Sequence, residues 1–184
     1  TRADRMNDEV ISLLKKSGCF RVWIGAESGS QKIIDAMDRR VEINQVREMI
    51  RKSIEAGLQA GTFIMVGYPG ETNQDLKETL HHLKISNPDY YTITIAYPIK
   101  GTPLYEETES NFIKTPQWET ETDRQIDFKR THPKTYYEYA IRWIVNEVGL
   151  HKNRMKNGPL HQRTLYFLKS MAARAAMAVI RMQH

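Results

Sequence analysis

The chain has 184 residues, of which 40% are hydrophobic and 27% charged, with a formal net charge of +5. This is the range of a soluble globular protein, and the length suffices for one domain with a hydrophobic core. No segment approaches the roughly 18 apolar residues of a membrane span, and no secretory signal pattern opens the chain, so we predict a cytoplasmic protein without a transmembrane segment. The single cysteine, Cys19, excludes a disulfide framework, a zinc ribbon and an iron–sulfur cluster held by this chain's thiolates alone.

The first 105 residues alternate helical and strand patterns, which is typical of βα units and a parallel sheet. Right-handed crossovers between three such strands predict an α/β fold, namely a partial (β/α) barrel, because three strands cannot close a barrel. The predicted strands are Phe20–Glu27, Thr62–Gly67 and Tyr90–Ala96, and the predicted helices are 7–16, 29–38, 43–56 and one that Thr72 caps and Asn87 ends.

The pattern changes after residue 108. Residues 111–134 are polar and aperiodic, and we predict a loop there that could act as a lid. One helix is predicted from Thr135 to near Gly149, and a longer one from Gly158 to about Met182. The sequence therefore predicts two parts: residues 1–108, the later half of a barrel, and residues 109–184, a loop with an α-helical C-terminal extension.

The positive charge is concentrated at the C-terminal end. Residues 129–184, called the basic tail below, contain eleven Lys and Arg against Glu138 and Glu147 and have a net charge of +9, whereas residues 1–128 have −4. Such a segment can contact nucleic acid, anionic lipid or an acidic domain, or form a solvated surface. Because its basic residues are spread over a turn and a helix, we predict no specific nucleic-acid binding.

Chemistry in a (β/α) barrel lies at the C-terminal ends of the strands. In this region Glu27 can accept hydrogen bonds from ribose hydroxyls or an ammonium group, and Phe63 and Met65 share a strand face suited to an adenine ring. Each strand end also fits a purely structural role, as a helix cap, a buried strand or barrel lining. The three motifs found there are Gly-Ala-Glu-Ser-Gly-Ser at 25–30, Gly-Tyr-Pro-Gly-Glu-Thr at 67–72 and Tyr-Pro-Ile-Lys-Gly-Thr at 97–102.

These motifs, with Asp75 and Thr79 after the second and Asn87-Pro88-Asp89 before the last strand, closely resemble the later half of a radical S-adenosylmethionine (SAM) domain. The branch it resembles often carries a cobalamin-binding domain. The resemblance covers residues 1–108, and Glu71 lies one position later than in the family pattern, which implies a structural role for it at the turn. The implied cofactor contacts are Glu27 and Ser28 for ribose or methionine, Ile64, Met65 and Gly67 for adenine, and Ala96 and Tyr97 for the adenine edge.

The family's Cys-x3-Cys-x2-Cys loop is not in this chain. Thr1–Asp4 resembles the exit of the barrel's third strand, so we expect the cluster ligands in a missing N-terminal part of a longer protein. The implied cofactors are S-adenosylmethionine, a [4Fe-4S] cluster with ligands outside this chain, and cobalamin, also bound outside it. Since the cluster donates the electron that cleaves S-adenosylmethionine, we expect the chain alone to be inactive.

The substrate stays unknown, and three functions stay open. The first is part of a radical SAM enzyme, with cobalamin as an additional cofactor, in which this chain forms part of the S-adenosylmethionine pocket and substrate face. The alternatives are a radical SAM enzyme that modifies tRNA, for which the basic tail argues, and a non-catalytic docking module. An apolar stripe from Leu165 to Val179 needs a cover, which predicts contact with the missing N-terminal part or a homo-oligomer through the C-terminal helix.

Overall fold

Three parallel strands joined by crossover helices form the centre of the computed structural model, which describes residues 1–183. The strands lie side by side in the order β1–β2–β3. This architecture confirms the predicted α/β partial barrel with an α-helical extension. The strands are Arg21–Glu27 (β1), Gln59–Val66 (β2) and Tyr90–Ile95 (β3), and the helices are Asp8–Lys16 (α1), Gln31–Ala36 (α2), Ile43–Glu55 (α3), Asn73–Ser86 (α4), Pro103–Thr108 (α5), Lys134–Met155 (α6) and Leu160–Met182 (α7).

The two faces of the sheet differ in burial. Ile64 and Val66 of β2 are 2% and 0% exposed and belong to the hydrophobic core between the sheet and its helices. Phe63, on the other face, is 44% exposed. The alternation predicted from sequence is therefore confirmed, and the face opposite the helices, called the inner face below, is the open one.

The C-terminal helices form a hairpin that packs on α4 and β3. Trp143 and Ile144 of α6 are buried, and α7 contacts α6 through its own buried side chains, including Ala173 and Met177. The outward face of α7 is apolar as well as exposed, with Leu168 and Val179 among its exposed side chains. Within residues 1–183, no helix has the length and apolarity needed to cross a bilayer.

The predicted end of α6 near Gly149 is wrong, because the helix continues to Met155. Gly149 lies beneath the ring of Tyr166, and a Cβ at this position would be 2.7 Å from Tyr166 Cε1. The glycine thus permits the close approach of α7 rather than ending α6. The chain reverses further on, at Asn157, which has a left-handed φ of 50°.

The segment predicted as a loop contains a small antiparallel hairpin. Phe112–Lys114 (β4) pairs with Asp127–Phe128 (β5), and most of the connecting chain is irregular. Strands of three and two residues are too short for a periodicity to show in sequence. Ile126 and Phe128 are buried, so this segment is fastened to the body of the protein.

Thr79 of α4 holds the turn that follows β1. Its hydroxyl accepts a hydrogen bond from the Gly29 N–H at 2.9 Å and lies 3.2 Å from Ser28 Oγ. A Cβ at Gly29 would be 2.4 Å from Thr79 Cα, so the turn rests directly on the helix backbone.

We therefore expect Thr79→Val to lower the free energy of unfolding by about 1–3 kcal/mol, because it leaves a buried N–H without an acceptor. Thr92→Val is the matched control, since Thr92 is exposed on β3, and we expect a change within about 0.5 kcal/mol. Urea denaturation followed by circular dichroism measures both. Equal stability of the two variants would contradict the role of Thr79.

Candidate functional site

The C-terminal ends of the three strands meet at one edge of the sheet because the strands are parallel. Glu27 ends β1, Gly67 directly follows β2, and Ala96 directly follows β3. The structure thus brings together the three strand ends on which the sequence places the candidate cofactor contacts. The predicted contact residues differ in where their side chains point and in the hydrogen bonds they form.

Glu27 has the most unusual conformation at this edge. Its φ is 62°, and the pairing of β1 with β2 shifts register between Gly25 and Glu27. The carboxylate is 19% exposed and lies 3.0 Å from Arg39 Nη2. Burial raises the pKa of Glu27, and the charge of Arg39 opposes that rise. A Cβ at Gly25 would be 2.8 Å from Glu27 Oε1, so the glycine makes room for the carboxylate.

Two of the predicted contacts turn their side chains away from the inner face. Ser28 is fully buried, and its Oγ accepts a hydrogen bond from the Ser30 N–H at 3.1 Å within the turn. Ile64 extends into the hydrophobic core on the helix-covered face. These positions leave only backbone atoms of Ser28 and Ile64 for a ligand on the inner face.

An aromatic pair that the sequence analysis missed forms the floor of the inner face. The rings of Trp23 and Phe63 stack with centroids 4.7 Å apart. Gly61 is the partner of Trp23 across the strands, and a Cβ there would be 2.6 Å from Trp23 Cδ2. The sequence did contain a signal for this pair, since Trp23 lies two residues before Gly25 on β1 and therefore on the same face of the strand. Met65 continues the floor and is half-buried.

Glu71 stabilises the turn after β2. It is fully buried, and its Oε2 accepts a hydrogen bond from the Gly67 N–H at 2.6 Å. Its Oε1 is buried without a hydrogen-bond partner among the described residues. Burial is the main cause that raises the pKa of Glu71 to about 8. Gly67 itself packs against the ring of Tyr137 with a φ of 79°, a conformation that strains any residue with a side chain.

Arg130 closes the end of β3. Its side chain is 2% exposed, pairs with Asp127 and donates to the Ala96 carbonyl at 2.7 Å. The Ala96 N–H donates to the Val66 carbonyl at 2.7 Å, so both backbone groups of Ala96 are engaged. Tyr97 is half-buried beside this cap. Arg130 was not predicted from the sequence because it lies in the aperiodic segment, where no local pattern indicates which strand end a side chain reaches.

The geometry of the strand ends agrees with the comparison to known families. Residues 1–83 match the model of the Radical SAM superfamily. This part of the chain belongs to that superfamily. The match confirms the resemblance on which the sequence analysis relied.

Relatives of known or assigned activity extend the similarity beyond residue 83. An uncharacterized methyltransferase of Pyrococcus horikoshii is 32% identical over 134 residues, which cover 72% of this chain and 29% of the relative. A tRNA-2-methylthio-N(6)-dimethylallyladenosine synthase of Clostridium botulinum is 26% identical over 162 residues, or 85% of this chain and 32% of the relative. The chain therefore spans about a third of the length of these curated relatives.

Two solved structures share the fold. The radical S-adenosylmethionine methyltransferase TsrM from Kitasatospora setae, with cobalamin and a [4Fe-4S] cluster bound, matches with a TM-score of 0.57 and 14% identity over 95% of this chain and 44% of its own. Elp3 from Methanocaldococcus infernus matches with a TM-score of 0.58 and 21% identity over 82% of this chain and 31% of its own. At these identities the likeness is one of fold.

The radical SAM part of this chain lacks the ligands for a metal cluster. No group of three or more His, Cys, Asp or Glu side chains in the described part of the chain is placed to hold a metal ion. The thiol of Cys19 donates a hydrogen bond to the Arg21 carbonyl at 3.3 Å. The residues present therefore do not fit a [4Fe-4S] cluster, which requires several thiolates.

The raised pKa of Glu71 predicts how stability depends on pH. Between its ordinary value of 4.5 and about 8, the folded protein holds a proton at Glu71 that the unfolded chain has released. This contribution therefore stabilises less as the pH rises through that window. We expect Glu71→Gln, which keeps an acceptor for Gly67, to gain stability relative to the wild type between pH 5 and pH 8.

The exposed Glu119 supplies the matched control, and Glu119→Gln should leave the slope of stability against pH unchanged. Urea denaturation at several pH values measures the free energy of unfolding of all three proteins. Parallel curves for the wild type and Glu71→Gln would show that Glu71 titrates normally.

Proposed function

We propose that this chain forms one wall of the S-adenosylmethionine pocket, and part of the substrate face, of a radical SAM enzyme. The observation that carries the proposal is Glu27, a largely buried carboxylate held in a left-handed conformation at the C-terminal end of β1. Strained polar residues at such strand ends are typical of ligand sites. The proposal includes the cytoplasmic location predicted from the sequence.

The residues at this edge fit the chemistry of S-adenosylmethionine. The cofactor carries ribose hydroxyls and an ammonium group, which can donate hydrogen bonds to a carboxylate. The space that Gly25 leaves lets the Glu27 carboxylate lie along the inner face. The adenine would lie on the apolar floor beside Met65 and Gly67, with its edge toward Ala96 and Tyr97. Since the Ala96 backbone groups are engaged, we assign the edge contact to the backbone of Tyr97.

S-adenosylmethionine, when bound beside a reduced [4Fe-4S] cluster, supplies the radical in this superfamily. The cluster ligands would come from an N-terminal part of a longer protein, because this chain has one cysteine. The role of this chain is then to bind and orient S-adenosylmethionine, and the electron comes from the cluster outside it. Cobalamin, if used, would also bind outside the chain.

The relatives support two candidate reaction classes. A cobalamin-dependent methyl transfer is our first candidate, supported by the similarity to the Pyrococcus horikoshii methyltransferase and by the fold shared with TsrM. Modification of tRNA is the second, supported by the Clostridium botulinum synthase, whose similarity extends into the basic tail. In either case we propose that the apolar outer face of α7 is covered in the working enzyme, by the N-terminal part or by a second copy.

We expect the chain alone neither to assemble a [4Fe-4S] cluster nor to produce 5′-deoxyadenosine. Anaerobic reconstitution with iron and sulfide, followed by absorbance and product analysis, tests this. The Cys19→Ser variant is the control and should behave like the wild type, because a lone thiol holds no cluster. A stoichiometric cluster in the wild-type chain would overturn the expectation.

We expect Glu27→Gln to weaken S-adenosylmethionine binding by about ten-fold or more in the full-length protein carrying its cluster, because a charge-assisted hydrogen bond contributes about 1.5–3 kcal/mol. Glu71→Gln should weaken it less, since Glu71 is buried in the turn. Arg39→Gln removes the ion pair but keeps the Glu27 carboxylate. This variant separates the role of Glu27 as the partner of Arg39 from its proposed role as a contact to S-adenosylmethionine. Calorimetric titration measures the affinities. Equal affinities of the Glu27 and Glu71 variants would remove Glu27 from the site.

A further inference from the structure

A second concave site lies outside the sheet, where α4, α6 and α7 meet. It is a pocket of about 200 Å³ on the helical layer, separate from the inner face. Three cationic side chains line it, one from α4 and two from α7. The residues used below are Asn73, Lys77, Tyr136, Trp143, Arg174 and Arg181.

The three cations are exposed around the pocket and lack ion-pair partners. In residues 1–183, Lys77, Arg174 and Arg181 form no side-chain hydrogen bond or ion pair, unlike Lys84 and Arg130. Arg174 lies near Glu147, but that carboxylate already accepts from Lys84 Nζ at 2.7 Å and Ser170 Oγ at 2.6 Å.

Among the described residues, no carboxylate lines the pocket to balance these charges. The acidic residue in the first turn of α4, Asp75, is 4% exposed and turned to the other side, where it accepts from Ser30 Oγ and Lys32 Nζ, each at 2.7 Å. Three like charges around one concavity produce a positive potential there, which attracts an anion. The start of α4 at Asn73 adds the positive end of a helix dipole to the same wall.

We propose that this pocket binds a phosphate group. Arginine side chains bind phosphate oxygens in bidentate geometry, and two arginines with one lysine suit a dianionic phosphate ester better than a monovalent carboxylate. The floor is made by Tyr136 and Trp143, which are both buried and offer no open ring face for stacking. The pocket therefore recognises the anionic group itself rather than an attached base.

The phosphate has two chemical sources, a small phosphorylated compound and the backbone of a nucleic acid. Contacts to backbone phosphates carry no sequence information, so the second source agrees with the absence of specific nucleic-acid binding predicted from the basic tail. This inference does not depend on the proposed S-adenosylmethionine site.

The test compares two double variants of the full chain that lose the same charge. Arg174→Met with Arg181→Met empties the pocket of its arginines, whereas Lys169→Met with Arg154→Met removes two exposed cations that do not line it. Binding of inorganic phosphate is measured by calorimetry, and binding of a single-stranded RNA by fluorescence polarisation at physiological salt. Thermal unfolding checks that both variants fold.

We expect the pocket variant to weaken at least one probe about ten-fold or more and the control variant to change both less than two-fold. Inorganic phosphate that saturates the wild type and displaces the RNA identifies a shared pocket, and binding of phosphate alone identifies a small ligand. Binding of RNA alone, with the same loss in the pocket variant, identifies the nucleic-acid backbone. Equal losses in the two variants, or no saturable binding of either probe to the wild type, would overturn the proposal.

Discussion

One buried carboxylate, Asp75, joins the two loops that carry the strand ends. It accepts hydrogen bonds from Ser30 Oγ at 2.7 Å, from Lys32 Nζ at 2.7 Å and from both the N–H and the hydroxyl of Thr72, at 2.8 and 2.6 Å. These donors hold the pKa of Asp75 at about 2 despite its burial. A carboxylate so fully satisfied is costly to disturb, and it fixes the turn after β1 against the start of α4. Together with the pairing of β1 and β2, this group holds the loops that follow Glu27 and Gly67 against each other.

Local chemistry in the sequence predicted the elements that local rules govern. Thr72 caps α4 with Asp75 in a capping box, and Asn7 caps α1. The alternation along β2 placed Phe63 on the open face because a strand has a period of two. Gly149 shows where such rules fail, since a glycine in a helix signals an end or a close approach equally well, and only the position of Tyr166 decides between them.

The parts of the site that escaped prediction depend on contacts between distant segments. Ser30 directly precedes α2, but its hydroxyl donates to Asp75, which lies 45 residues further along the chain. Arg130 reaches Ala96 across 34 residues from a segment without periodicity. Neither contact leaves a trace in the spacing of nearby residues. The contact of Tyr137 with Gly67 is of the same kind, because it joins α6 to the turn after β2.

Two adjacent tyrosines connect the end of β2 with the pocket on the helical layer, which constrains how substitutions act. Tyr137 packs on Gly67 at the end of β2, and its neighbour Tyr136 lines the outer pocket, with their rings 5.4 Å apart. Burial raises the pKa of both phenols, and the nearby carboxylate of Glu71 adds to that rise. A change at Glu71 or at either tyrosine therefore reaches both sites, and a loss of binding in such a variant identifies neither. Arg174 lines the pocket from α7, whereas Glu27 lies on β1, so substitutions at these two positions separate a ligand of the helical layer from a ligand of the sheet.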